Sequence, residues 1–308
     1  MVKNMRNFVK EITELNDSHV HIKNVDQVNN VIHGLITGGP NKLHVLSDFD
    51  KTITKQHENG KIHLSSFGMF SKCPSVSEEH LKTVDVLAKK YRPIENDPTM
   101  PIEEKSILME EWWLLSEKAL VGLQVSPKEL EDVCFEIGPS LREGSKELFD
   151  SFNEVQIPVL VFSAGLGDTV VAVLKHCNVL LPNVEVISNF LKYSDEGKIM
   201  GFKDRLIHCY NKNEFAIKGT EFYNKIVERS NVILLGDSIG DAGMTEGMDH
   251  LENVLKIGFL YERSEEYLPK YMDTFDIVLE DDQTMNVPRA ILNFVLNYSK
   301  HRQEEGEK

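Results

Sequence analysis

The chain of 308 residues is long enough for one large domain or two modest ones, and 41% hydrophobic with 27% charged content is ordinary for a soluble globular protein. A net charge of −15 argues against a broad grip on a nucleic-acid polymer, which needs clustered Lys and Arg, but not against a small anion balanced by a metal and a few local cations. No apolar run approaches the roughly 18 residues of a membrane span, and Cys73, Cys134, Cys177 and Cys209 are too scattered for a zinc site or a disulfide framework. With no signal-peptide core in residues 1–16, a cytoplasmic location is expected; a monomer without membrane or nucleic-acid partners is the accompanying expectation.

Val2, Met5, Phe8, Val9 and Ile12 have helical spacing over residues 2–15, and Val28, Val31, Ile32 and Leu35 predict a second helix, stopped by Gly38-Gly39-Pro40. Residues 43–47 then read as a short buried strand running into Asp48, Asp50 and Thr52. An open α/β sheet presents reacting groups in this way, because its crevice lies outside the C-terminal strand ends. Alternate strand side chains share a face, so the two aspartates can point together. Taken alone, they are equally an Asp-rich turn.

Residues 54–77 are polar and irregular, with Phe67 and Phe70 among them. Helices are predicted at 78–91, ended by Pro93 and Pro98, then at 102–123 and 127–134, with no strand between 75 and 140. So long a helical block between strands of one sheet exceeds an ordinary crossover and reads as an inserted cap. The expected division is a core of residues 1–62 and 140–308 and a cap of 63–139, with hinges near 54–65 and 138–145. The α/β alternation resumes with a helix at 144–153 and a strand at 158–163 ending on Ser163, then a Gly-rich turn and a helix to His176. Further strands are expected at 184–188, 231–236, 254–259 and 277–279, a hairpin at 194–198, and helices at 214–228, 242–248 and 287–299. The charged tail 300–308 reads as disordered. The fold class is α/β: a doubly wound, mainly parallel, Rossmann-like sheet with an inserted all-helical cap.

Strand ends thus carry Asp48 and Asp50, then Ser163, then Gly236-Asp237-Ser238-Ile239-Gly240-Asp241, with Lys212 before a helix between the last two. Ser163 by itself is a helix cap, and Lys212 by itself is a solvated lysine. Their joint order carries the signal. DFDKT at 48–52, Ser163, Lys212 and GDSIGD at 236–241 together resemble the four motifs of the haloacid dehalogenase superfamily, in its phosphatase branch. The nearer resemblance, over residues 42–296, is to the cytosolic 5′-nucleotidase III family of pyrimidine and 7-methylguanosine monophosphate nucleotidases. Stretches such as Asn96-Asp97-Pro98, Met109-Glu110-Glu111-Trp112 and Ser188-Asn189-Phe190 support it.

The resemblance implies Mg²⁺-dependent hydrolysis of nucleoside 5′-monophosphates, with 7-methyl-GMP and CMP ahead of UMP. Phosphate-monoester hydrolysis is among the slowest uncatalysed reactions, and a carboxylate nucleophile divides it into two steps through an aspartyl-phosphate. Asp48 is the implied nucleophile, and Asp50 the group that protonates the leaving ribose oxygen and then deprotonates water. Nearby negative charge should help Asp50 keep its proton. Asp48, the main-chain carbonyl of Asp50 and Asp237 are the implied ligands of Mg²⁺. Ser163, Ala164 and Lys212 are implied at the phosphate, and Asp241 behind them, steadying Lys212 or a metal-bound water.

Glu95 and Ser116 are implied at the base, with an aromatic floor drawn from Trp112, Trp113, Phe67 and Phe70. Trp112 and Trp113 lie about 100° apart on a helix, so one is expected in the cap's packing and the other at substrate. A carboxylate accepts from the exocyclic amino group of guanine or cytosine. The positive charge of a 7-methylated guanine adds a cation–π term on an aromatic face. The chain departs from the family at Trp113 and Glu117, where a Tyr-like residue and a His are common. A non-catalytic nucleotide-binding protein and a nucleoside phosphotransferase are the competing readings of the same scaffold. The intact set Asp48, Asp50, Ser163, Lys212 and Asp237 favours an enzyme.

Overall fold

The computed structural model describes residues 6–95, 97 and 99–306, so the expected helical turn at residues 2–5 and part of the Asn96-Asp97-Pro98 stretch lie outside the described residues. Asn7 caps the short helix α1 (Phe8–Glu11) by accepting from the Lys10 N–H, and a 3₁₀ turn at Thr13–Asn16 follows. Strand β1 (Val20–His21) leads to α2 (Val25–Gly38), capped by Asn24 and stopped at Gly39, whose φ of 70° lies in the left-handed region. The chain then enters β2 (Leu43–Ser47), buried at every position.

A hairpin of β3 (His57–Glu58) and β4 (Lys61–Ile62) precedes four helices: α3 (Ser66–Phe70), α4 (Glu78–Glu95), α5 (Ile102–Leu120) and α6 (Pro127–Ile137). Helix α4 runs through Pro93, which falls in its last turn, where few further N–H···O bonds remain to be broken. After α7 (Ser145–Glu154) come β5 (Val159–Leu166), α8 (Gly167–His176), β6 (Val184–Asn189) and a hairpin of β7 (Leu191–Tyr193) and β8 (Ile199–Phe202).

The helix expected at 214–228 is two short ones, α9 (Glu214–Ile217) and α10 (Glu221–Ile226), parted at Gly219 with φ 89°. Strand β9 (Asn231–Gly236) is followed by a 3₁₀ segment at Ile239–Thr245 in place of the expected α-helix. The chain closes with β10 (Asn253–Leu260), α11 (Ser264–Thr274), β11 (Ile277–Glu280) and α12 (Asn286–Gly306), whose backbone continues through most of the tail expected to be disordered.

Seven strands form one sheet in the order β1-β11-β10-β9-β2-β5-β6, parallel except where β1 meets β11. Alternate residues divide between two apolar layers. Val45, Val159, Val161, Ile233 and Leu235 face one, and Leu46, Leu160, Phe162, Val232 and Leu234 the other. Both faces are therefore covered, as a parallel sheet requires. Strand β2 sits where the winding reverses, with β5 on one side and the later β9 on the other. The crevice at such a switch point is where ligands bind.

Helices α3 and α6 contribute Met69, Phe70, Leu130, Val133 and Cys134 to the larger layer. Helices α4 and α5 pack on each other around a separate small cluster of Tyr91, Met109 and Cys209. The two chain segments joining these helices to the sheet lie side by side: Thr54 bridges Leu141, and the Lys55 N–H donates to Ser140 O at 2.9 Å. Among the described residues no helix is long and apolar enough to cross a membrane, and the four cysteines are free.

Candidate active site

Asp48 follows β2 directly, and its N–H continues the ladder to Leu235 O at 2.9 Å, which fixes it against β9. Its carboxylate is buried and takes an ion pair from Lys212 Nζ at 2.7 Å. The same ammonium reaches Asp241 Oδ1 at 2.5 Å. Asp241 Oδ2 accepts from the Asp237 N–H (3.1 Å), the Ser238 N–H (2.9 Å) and the Ser238 hydroxyl (2.9 Å). This capping arrangement starts the 3₁₀ segment and leaves Asp241 facing Lys212. Gly236 permits it, since a Cβ there would lie 2.4 Å from the Cβ of Asp241.

Asp50 is gripped from across the crevice. The Ser66 N–H donates to Oδ1 at 2.8 Å and the Ser66 hydroxyl to Oδ2 at 2.6 Å. The Ser66 oxygen in turn accepts from the Leu166 N–H at 3.1 Å, so α3 and β5 together orient this carboxyl. Gly165 makes room, because a Cβ there would lie 2.0 Å from Ser66 Oγ and 2.9 Å from Asp50 Oδ2. Ser163, buried at the end of the apolar run of β5, accepts from the Gly165 N–H at 3.0 Å, which leaves its own O–H to donate. The loop carbonyl of Ala164 accepts from Asn189 Nδ2 at 2.9 Å and from Trp113 Nε1 at 3.0 Å.

The electrostatics follow from this crowding. Burial pushes Asp48 up to about 7, against the pull of Lys212 and with a further push from Asp241. Burial raises Asp50 as well, opposed by the two Ser66 hydrogen bonds. Asp237 rises well above the carboxylate range through burial and the neighbouring Asp48 and Asp241. Burial works against the Lys212 charge, but Asp241 and Asp48 more than offset it and raise its pKa above the usual lysine value. Oxygen atoms of Asp48, Asp237 and Asp241 lie within 4.8 Å of one another. Asp241 is already committed to Lys212 and the 237–238 main chain, so Asp48 and Asp237 are the carboxylates left to face an added cation. An all-oxygen donor set with excess negative charge fits a hard divalent ion.

The residues expected at the base divide. Glu95 ends α4 half-buried, its carbonyl accepting from Lys105 Nζ at 3.0 Å and Tyr210 OH at 3.3 Å. Burial raises its carboxyl pKa, opposed by Arg92 and by a hydrogen bond with Cys209. Trp112 stacks on Tyr91 at 5.7 Å and 12° and so belongs to the packing of the helix pair. Trp113 meets it edge-on at 4.9 Å and turns its indole N–H to Ala164, beside Ser163. Ser116 is half-buried further along α5, and Phe67 is half-buried against the main core. Phe70, offered as a base-stacking face, is instead 1% exposed, with its ring against His80. It faces inward because α3 spends that side on the core. Sequence reasoning missed Ser66, whose only signal is a serine pair opening a helix, and Tyr91, whose helical spacing looked like ordinary core.

Comparison with known proteins gives a consistent result. A family model described as pyrimidine 5′-nucleotidase (UMPH-1) matches residues 51–296. The chain is 44% identical over 289 residues to a Drosophila melanogaster 7-methylguanosine phosphate-specific 5′-nucleotidase, covering 93% of this chain and 90% of that protein. It is 37% identical over 287 residues to the Homo sapiens protein so named, covering 93% and 96%. A crystal structure of cytosolic 5′-nucleotidase IIIB bound to cytidine superposes with a TM-score of 0.90 at 43% identity, covering 95% of this chain and 98% of that one.

Proposed function

Because this chain belongs to the pyrimidine 5′-nucleotidase (UMPH-1) family and is a 5′-nucleotidase, we propose that it hydrolyses 7-methyl-GMP and CMP, and UMP less well, through an aspartyl-phosphate on Asp48. One observation carries this reading: Asp48 shares Lys212 with Asp241 while Asp50, two residues on, is held by both donors of Ser66.

In this reading Asp48, Asp237 and the main-chain carbonyl of Asp50 would hold Mg²⁺, whose positive charge would let an anionic phosphate approach a carboxylate. Lys212 and the Ser163 hydroxyl, with the main chain of the Ala164 loop, balance the phosphoryl oxygens. Asp50, its pKa raised by burial, carries the proton that the leaving ribose oxygen needs, and afterwards takes one from the attacking water. Asp241 steadies Lys212.

Residues 63–139 act as the cap over this core of 1–62 and 140–308. Glu95 and Ser116 meet the base, and Trp113 offers its ring, supported by its hydrogen bond to the Ala164 loop; the half-buried Phe67 is the other candidate face. A cationic 7-methylguanine gains most from a carboxylate and an indole face. A cytosolic monomer completes the proposal; one relative, from Caenorhabditis elegans, and the matched structure carry the word cytosolic in their names.

The test is phosphate release from CMP, UMP, GMP and 7-methyl-GMP, with and without EDTA. The expected result is metal-dependent release, with 7-methyl-GMP ahead of GMP. Release unaffected by EDTA would defeat the metal assignment, and indifference to the methyl group would defeat the purine preference.

A further inference from the structure

Arg142 heads the fully buried side chains by size, yet the described structure gives its guanidinium no carboxylate to hydrogen-bond. It is spent on main-chain carbonyls: Nε donates to Thr52 O at 2.7 Å, Nη2 to Lys51 O at 2.5 Å, and Nη1 to Asp282 O. Its Cζ lies 3.8 Å from the ring centre of Phe259. A buried cation is costly unless its donors are well used. Here two of those donors go to consecutive carbonyls immediately after Asp50.

Lys51 explains what they hold. Its φ is 62°, a left-handed conformation in a residue with a side chain. Such strain persists only where the surroundings over-determine it, and it concentrates at functional sites. Both sides of Lys51 are fixed: its N–H donates to Thr54 Oγ1 at 2.8 Å, and its carbonyl accepts from Arg142. The N–H groups of Thr52, Ile53 and Thr54 all converge on Phe49 O, closing the turn. Both fixing residues also stand where the chain leaves for the helices and returns from them. Thr54 bridges Leu141, and the Arg142 N–H donates to Ile53 O at 3.0 Å.

We propose that Arg142 is a positioning residue for the reaction: by holding the Lys51 peptide it aims the Asp50 carboxyl at the leaving-group oxygen, and it ties that aim to the segment returning from the helices. The inference rests on the reading of Asp50 as the proton donor. An arginine that only glued the fold together would slow all substrates alike. One that aims the acid should matter where a leaving group needs a proton.

The experiment compares CMP with its analogue bearing sulfur in place of the bridging 5′ oxygen, whose thiolate leaves without a proton. Arg142→Lys keeps the charge but lacks the donors to span these carbonyls. Its kcat/KM should fall by about 30-fold on CMP and by about threefold or less on the sulfur analogue, with KM for CMP within about twofold. Thr54→Val removes the acceptor on the other side of Lys51 with little change of shape. It should show the same selectivity at about fivefold on CMP, and it decides the matter alone if Arg142→Lys does not fold. Equal losses on both substrates, or full activity in the variants, overturns the proposal while leaving the functional reading intact. Failure of the unaltered protein to release phosphate from CMP overturns the functional reading first, and this inference with it.

Discussion

The strand-end crevice and the α4–α5 helix pair are built on different principles. In the crevice the polar side chains are tied to main chain or to one another: Asp50 to the Ser66 N–H and hydroxyl, Asp241 to the N–H groups of 237 and 238, Ser163 to the N–H of Gly165. Among the described residues the helix pair's own buried cluster is Tyr91, Met109 and Cys209, the last lying outside the two helices, while Val86 and Ile107 remain 65% and 69% exposed. The first region is fixed by backbone geometry, and the second by a thin layer of side-chain packing. Damage to the first should therefore appear in kcat, and damage to the second in KM and base choice.

The sharpest break is Asp48→Asn. Phosphate release should fall by at least about 10⁴-fold, because the proposed nucleophile is gone. CMP should still bind, and the melting temperature should rise because one of several crowded carboxylates is neutralised. Calorimetric binding alongside a thermal melt checks both; loss of CMP binding would mean that the helix pair does not recognise the base independently.

Lys212→Met comes next. It should lower kcat by about 10²-fold or more, the scale of a lost charge donor. It should also destabilise the fold by about 3 kcal/mol, because Asp48 and Asp241 lose their shared cation.

The pH dependence follows from Asp48. Its folded-state pKa of about 7 lies above its ordinary value, so the stability it contributes is present at low pH and is lost as pH rises through about 7. In the proposed metal site Mg²⁺ would need Asp48 and Asp237 ionised, and crowding raises both. Its apparent affinity should therefore drop by at least about tenfold for each pH unit below 7, and its stabilising effect on the melt should grow between pH 6 and pH 8. A pH-independent Mg²⁺ affinity would remove both Asp48 and Asp237 from the ligand set.

The mildest change is Trp113→Phe, which keeps a ring but loses the hydrogen bond to Ala164. KM should rise by about fivefold with kcat within about twofold, as for one neutral hydrogen bond. A fall confined to kcat would erase the contrast between the two regions, since it would make Trp113 part of the phosphate loop's own geometry.

Much of the crevice was readable from residues alone, and for a definite reason. Asp48, Ser163 and Asp237 each close an apolar strand, and a parallel sheet brings such strand ends to one edge whatever the loops do. Lys212 and Asp241 were read in the right company, and their ion pair accounts for the supporting role given to Asp241. Ser66 and Arg142 were not readable, because each reaches the site through folding across a long separation, with no local pattern to mark it. The two tryptophans were known to diverge, but only three-dimensional packing decides that Trp112 turns to Tyr91 and Trp113 to Ala164. Phe70 was misjudged because an aromatic near a loop looks available until the helix carrying it buries that face. The helix predicted at 214–228 failed at a single glycine, whose positive φ no periodicity count can weigh.

The bridge between Thr54 and Leu141 has a consequence for how such a molecule can change over time. Since the chain departs and comes back at adjacent points, everything between is a closed detour whose ends stay together whatever its length. Lengthening such a detour costs little, about 0.6 kcal/mol of closure entropy for each doubling. The stretch proposed to meet the base can thus be rebuilt or exchanged while the strand ends keep their spacing.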